Sequence, residues 1–159
     1  MTALHTLADW RQAYADGLRP ADALPALVES LDGGDTAWIW RAPASFVRDQ
    51  VAALPPAPDA STPLWGVPFA VKDNIDVAGI PTTGACPAFA YTPERSATAV
   101  ERLRAAGAIL VGKTNLDQFA TGLVGTRSPY GAVCNAWDPE RISGGSSSGS
   151  AVEIGRAHV

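Results

Sequence analysis

Ser143-Gly144-Gly145-Ser146-Ser147-Ser148-Gly149-Ser150 is the stretch on which the reading of this chain turns. A run so dense in glycine and hydroxyl residues lets the backbone approach a ligand closely and turn through conformations closed to bulkier side chains. It is compatible with a phosphate cradle, a serine nucleophile on a sharp turn, or a flexible linker. The flanks, Asn135-Ala136-Trp137-Asp138-Pro139 before it and Ala151-Val152 after it, look like folded sequence and weigh against a linker. A Walker-type cradle needs lysine and then Ser or Thr directly after the glycines, and neither follows here. Gly145-Ser146-Ser147-Ser148-Gly149 fits the G-x-S-x-G nucleophile elbow with Ser147 as nucleophile. That mechanism needs a histidine base, and the chain holds only His5 and His158, both near its ends.

A serine site without histidine can use lysine as its base. There are two lysines, Lys72 and Lys113, against ten arginines. A desolvated lysine can give up its proton near neutral pH, which arginine in a protein cannot. Each lysine ends an apolar run, Val67-Pro68-Phe69-Ala70-Val71 before Lys72 and Ala108-Ile109-Leu110-Val111-Gly112 before Lys113. Either could equally be a lysine reaching from a strand end to water. Composition and spacing do not choose between them.

Three segments taken together resemble the amidase signature family. They are Gly66-Val67-Pro68-Phe69-Ala70-Val71-Lys72-Asp73-Asn74, Gly112-Lys113-Thr114-Asn115-Leu116-Asp117-Gln118-Phe119-Ala120 and Gly144-Gly145-Ser146-Ser147-Ser148-Gly149-Ser150-Ala151. Their order and spacing agree with the family over roughly residues 64 to 152. Within it, Thr83-Gly84-Ala85-Cys86-Pro87-Ala88-Phe89-Ala90-Tyr91 and Gly125-Thr126-Arg127-Ser128-Pro129-Tyr130-Gly131 look most like the allophanate hydrolase branch.

The resemblance implies a Ser-Ser-Lys relay. By position, Lys72 matches the family's lysine, and Ser146 matches the bridging serine, whose preceding peptide bond is cis. Neutral Lys72 would take a proton from Ser146, which takes one from a nucleophilic serine, and the acyl-enzyme would be hydrolysed through the same groups. The family's nucleophile lies further downstream, in sequence that would begin after Val159. The chain as given is therefore expected to be an inactive N-terminal piece, and Ser147, Ser148 and Ser150 are expected to bond the turn's own backbone. Thr126 and Arg127 are placed as contacts to a small anionic substrate, the guanidinium suiting a carboxylate; plain surface exposure is the simpler alternative for Arg127. The implied reaction cleaves an amide-type C–N bond, in allophanate, releasing ammonia and carbon dioxide in urea degradation. It needs no metal and no cofactor. The implied context is a homodimeric parent protein, functionally linked to a biotin-dependent urea carboxylase.

Length and composition fit that picture. The 159 residues suffice for one domain with a real core, and 47% apolar with 18% charged residues is ordinary globular usage. A net charge of −4 gives no reason to expect nucleic acid or an anionic membrane as partner. Cys86 and Cys134 make neither a disulfide framework nor a metal pattern, and each is expected to be a small buried hydrophobe. No secretory leader and no bilayer-length apolar stretch is visible, which points to a soluble cytoplasmic protein.

The expected fold class is α/β, with N-terminal helices followed by a partly parallel mixed sheet flanked by helices. Residues 1–54 read as helical: Thr6 caps a helix carrying Leu7, Trp10 and Tyr14 and stopping at Gly17. A second helix carries Leu24, Leu27, Val28 and Leu31, with Pro25 awkward unless it marks the first turn. Trp38-Ile39-Trp40 is apolar and of unassigned type, and Phe46, Val47, Val51 and Leu54 suggest a third helix. Residues 55–63, with four prolines, form an extended connector. From residue 64 the apolar runs ending at Val71 and Val111 have the pattern of strands buried on both faces. A helix near residues 98–106 joins them, with capping-box spacing between Thr98 and Glu101 and a stop at Gly107. The strand–helix–strand order implies a parallel pair. Another helix is expected from near Asn115. The core begun at residue 64 is taken to run to Val152. Residues 153–159 abandon its small apolar character, resemble the translation of a sequencing-library adapter, and are read as an artefactual tail.

Two other functions stay open at this level. One is the amidase subunit of a tRNA-dependent amidotransferase, which would share Lys72 and Ser146. The other is a non-catalytic binding module that keeps the fold without the nucleophile.

Overall fold

The computed structural model describes Leu4, residues 6–31 and residues 33–156. His5 and His158 lie outside them. The chain runs through α1 (Leu7–Ala15), α2 (Pro20–Ser30), β1 (Trp38–Arg41), α3 (Ala44–Ala52), β2 (Pro68–Lys72), α4 (Thr98–Ala105), β3 (Ile109–Thr114) and α5 (Ser148–Arg156).

Local chemistry explains the helix ends. Thr6 caps α1 in a full capping box: its hydroxyl accepts the Asp9 amide at 3.1 Å, and the Asp9 carboxylate accepts the Thr6 amide at 2.8 Å. Helix α2 starts at Pro20, not at Pro25. Proline at the first position lacks only an N–H that would have been orphaned anyway, and Pro25 lies buried inside the helix beside Leu24. The expected capping box at Thr98 does not form. Ala97 is the cap residue of α4, and Thr98 already sits inside the helix.

The sheet has the order β1-β3-β2, with β2 parallel and β1 antiparallel to β3. Trp38-Ile39-Trp40 is therefore strand. Strand β3 is buried throughout. Strand β2 is not: only Val71 is buried and its other residues are half-buried, because β2 lies at the end of the described sheet. Beyond the reach of β1, the Gln50 side-chain amide stands in as a strand partner, accepting from the Leu110 amide and donating to its carbonyl, both at 3.0 Å.

Two apolar clusters sandwich the sheet. On one face, Ile109 and Val111 meet Leu24, Val28, Val47 and Val152 from α2, α3 and α5. On the other, Val71 and Leu110 meet Val77, Ile80 and Val100, the last from α4. The register shift between β2 and β3 decides which side chain faces which layer. Phe69 pairs with Leu110, but Ala70 pairs with Gly112, so Val111 has no partner across β2. Beyond this bulge Val71 pairs with Lys113, and Lys72 with Thr114. Paired residues share a face, so the two lysines point to opposite sides of the sheet.

The helix expected from Asn115 is absent. After β3 the chain makes only a short 3₁₀ turn, Gln118–Ala120. Phe119 and Ala120 sit at φ +52° and +56°, left-handed conformations that end any α-helix. The cysteines also differ from expectation: Cys86 is half-buried and Cys134 exposed, the latter on a surface segment bridged to Ile142.

Candidate active site

Lys72 leaves the carboxyl end of β2 on the α5 side, and the Gly/Ser turn enters α5 beside it. There Lys72 Nζ donates to Ser146 Oγ at 2.7 Å, although the residues are 74 apart in sequence. The Gly145–Ser146 peptide bond is cis. Partial burial pushes the Lys72 ammonium below its ordinary range, and the negative charge of Asp117 works in the opposite direction. The net effect is a pKa below the ordinary lysine value. A neutral amine at this distance can accept the Ser146 proton, reversing the direction of the contact.

Lys113 has the opposite surroundings. It is wholly buried, 3.0 Å from Asp73 Oδ1, and donates to the Pro81 carbonyl at 2.8 Å and to Thr82 Oγ1 at 2.9 Å. Burial holds its pKa below the ordinary lysine range, as for Lys72, with pairing to Asp73 working in the opposite direction. Asp73 in turn accepts from the Thr83 amide at 3.0 Å and from the Thr83 hydroxyl. Two hydrogen bonds and an ion pair commit the Lys113 ammonium within the fold, which suits it to a structural role.

The turn is built by close approach. A methyl on Gly149 would fall 2.1 Å from the Ala37 carbonyl and 2.7 Å from the Asn115 amide. The Gly149 amide bonds Asn115, whose own amide bonds Ala37. Asn115 is a buried junction: its side chain donates to the Thr36 and Gly131 carbonyls and accepts from the Leu116 amide and the Ser128 hydroxyl. These bonds hold α5 against the end of β3 and so place Ser146 against Lys72.

The other serines serve differently from what the sequence suggests. Ser150 Oγ lies 2.9 Å from Thr114 Oγ1 and not on the turn's backbone. Ser148 is fully buried with its hydroxyl unpartnered among the described residues, and Ser147 is exposed. Thr126 and Arg127 are both exposed, the simpler alternative for Arg127. Its side chain borders a surface groove with Gln118, Phe119, Thr121 and Pro129, while its amide donates to Asp117 Oδ1 at 2.9 Å. Sequence reading passed over Asp117 and Asp73. Acidic residues just after a lysine or strand end look like solvated positions; the glycines at 122, 125 and 145 around Asp117 were the available signal.

Residues 41–159 match the Amidase family. The chain belongs to the Amidase family. Among its Amidase relatives, Saccharomyces cerevisiae urea amidolyase is 57% identical over 126 residues, which cover 79% of this chain but 7% of that protein. One subunit of the glutamyl-tRNA(Gln) amidotransferase of Nitratidesulfovibrio vulgaris is 41% identical over 97% of this chain and 33% of the relative. Among solved structures, K. lactis urea amidolyase superimposes with a TM-score of 0.92 at 44% identity, covering 100% of this chain and 10% of that one. Kluyveromyces lactis allophanate hydrolase gives 0.88 at 46% identity, covering 97% of this chain and 26% of that one. The chain thus spans a small part of the urea amidolyases it matches.

Proposed function

We propose that this chain carries the base and the bridging serine of an amidohydrolase that cleaves allophanate to ammonia and carbon dioxide in urea breakdown. The 2.7 Å contact between a half-buried Lys72 and Ser146 is the observation that supports this reading most strongly. Neutral Lys72 takes the Ser146 proton as Ser146 takes that of a nucleophilic serine. The serine oxygen bonds to the amide carbonyl, the C–N bond breaks, and the nitrogen leaves as ammonia with the relayed proton. Water then attacks the acyl-enzyme through the same two residues in reverse, restoring the serine and freeing an N-carboxylated carbamic acid, whose C–N bond breaks to release carbon dioxide. Arg127, with Thr126, is assigned to the substrate carboxylate. Similarity to urea amidolyase and allophanate hydrolase favours allophanate as the substrate. In this reading the protein is cytoplasmic, homodimeric and supplied by a urea carboxylase. Among the described residues no helix is long and apolar enough to cross a membrane.

The likeness to the amidotransferase of Nitratidesulfovibrio vulgaris supports a second reading in which the same pair releases ammonia from glutamine. Ammonia release by the full-length protein, offered allophanate and glutamine separately, tests both. Turnover of allophanate is expected. Release from glutamine alone would overturn the substrate, and release from neither would overturn the enzyme.

A further inference from the structure

Asp117 occupies the middle of the site without touching Ser146's hydroxyl. It is fully buried. Its amide donates to the Ser146 carbonyl at 3.0 Å. Its carboxylate accepts the amides of Arg127 at 2.9 Å, Gly125 at 3.1 Å and Val124 at 3.3 Å. The Gly145 amide closes the circuit by donating to the Leu123 carbonyl at 3.0 Å. Two glycines make room for the carboxylate: a methyl on Gly145 would lie 2.1 Å from its Oδ2, and one on Gly122 would lie 2.6 Å away. A side chain that both neighbouring segments are shaped around is a fixed part, not an incidental surface acid.

Resting on the reading of Lys72 and Ser146 as a proton relay, we propose that Asp117 is the positioning residue of that pair, holding the Ser146 turn through its amide and the facing Val124–Arg127 loop through its carboxylate. The carboxylate also sets the electrostatics of the relay. Burial pushes its pKa up, but the three amides and the Arg127 charge outweigh burial and leave it below its ordinary range, so it stays ionised. Of the charges around β2, Asp117 acts on Lys72, whereas Asp73 and Asp76 act on Lys113. Asp117 therefore opposes the desolvation that neutralises Lys72.

The test needs no turnover, so it can fail while the allophanate reading stands, and the reverse. Labelling with ¹³Cε-lysine reports both lysines, and Lys72→Arg and Lys113→Arg assign their signals. In Asp117→Asn the midpoint of Lys72 is expected to move to lower pH, while that of Lys113, on the opposite face, stays in place. A Lys72 midpoint equal to wild type in the folded variant would overturn the proposal. Should that variant not fold, amide hydrogen exchange in the unsubstituted chain decides. The Asp117, Val124, Gly125, Arg127 and Gly145 amides are expected to exchange together, as one unit. Fast exchange at Val124, Gly125 and Arg127 beside a protected Asp117 amide would show that no clamp exists.

Discussion

Replacing Lys113 by methionine separates the two lysines by consequence. Methionine keeps most of the volume and removes the charge. In the native fold Lys113 and Asp73 are both fully buried and 3.0 Å apart. Removing one partner of a buried pair leaves the other charge uncompensated, a loss of about 3–5 kcal/mol. The Pro81 carbonyl and Thr82 hydroxyl lose a donor as well, which places the loss toward the upper end of that range. Lys72→Met removes a half-buried amine with one hydrogen bond, to Ser146, so its loss is about 1 kcal/mol. Urea unfolding followed by tryptophan fluorescence reads both variants against wild type. Adding Asp73→Asn to Lys113→Met should recover part of the loss, because the stranded charge is gone and the Thr83 contacts can persist. If Lys113→Met lost less than about 1 kcal/mol, or no more than Lys72→Met, assigning the buried pair to structure and Lys72 to chemistry would be refuted.

Other outcomes follow from the same contacts. Gly149→Ala drives a methyl to 2.1 Å from the Ala37 carbonyl and should cost about 3 kcal/mol or more, read by thermal unfolding. Gly79→Ala meets nothing within 4 Å and should cost only about 1 kcal/mol, for its φ of +76°. Burial holds the Tyr14 phenol well above its ordinary 10.0, so the folded state keeps a proton that the unfolded chain loses. Stability should therefore fall as pH rises above 10, and urea unfolding of Tyr14→Phe should show a smaller alkaline decline. That variant should also lose about 1 kcal/mol at neutral pH with the bond to the Gly66 carbonyl. For Lys72 the sign reverses. Its folded pKa lies below 10.5, so the unfolded chain binds more protons between the two values and stability rises with pH there; Lys72→Met should flatten that rise.

How much was legible in the sequence depended on the range of the interactions involved. The Gly/Ser run and the apolar runs before the two lysines are local patterns, and they located the site and the parallel strand pair. The choice between Lys72 and Lys113 was not local. It hangs on one bulged residue, Val111, which turns Lys113 away from α5, and no property of either lysine's neighbours encodes that. The helix expected from Asn115 failed for a similar reason. Asn115 bonds segments reaching back to Thr36 and forward to Gly131. Asp117 was hidden because its partners arrive seven or more residues later, as backbone amides that no side-chain motif announces.

Lys72→Arg in the full-length protein tests the central claim most directly. Arginine keeps the charge and much of the reach toward Ser146 but cannot become neutral and accept a proton. Ammonia release from allophanate should fall by about 10²–10⁴ in kcat/KM, as removal of a general base does, and Ser146→Ala should fall alongside it. Near wild-type turnover in Lys72→Arg would mean that the amine held at 2.7 Å from Ser146 carries no proton in the reaction.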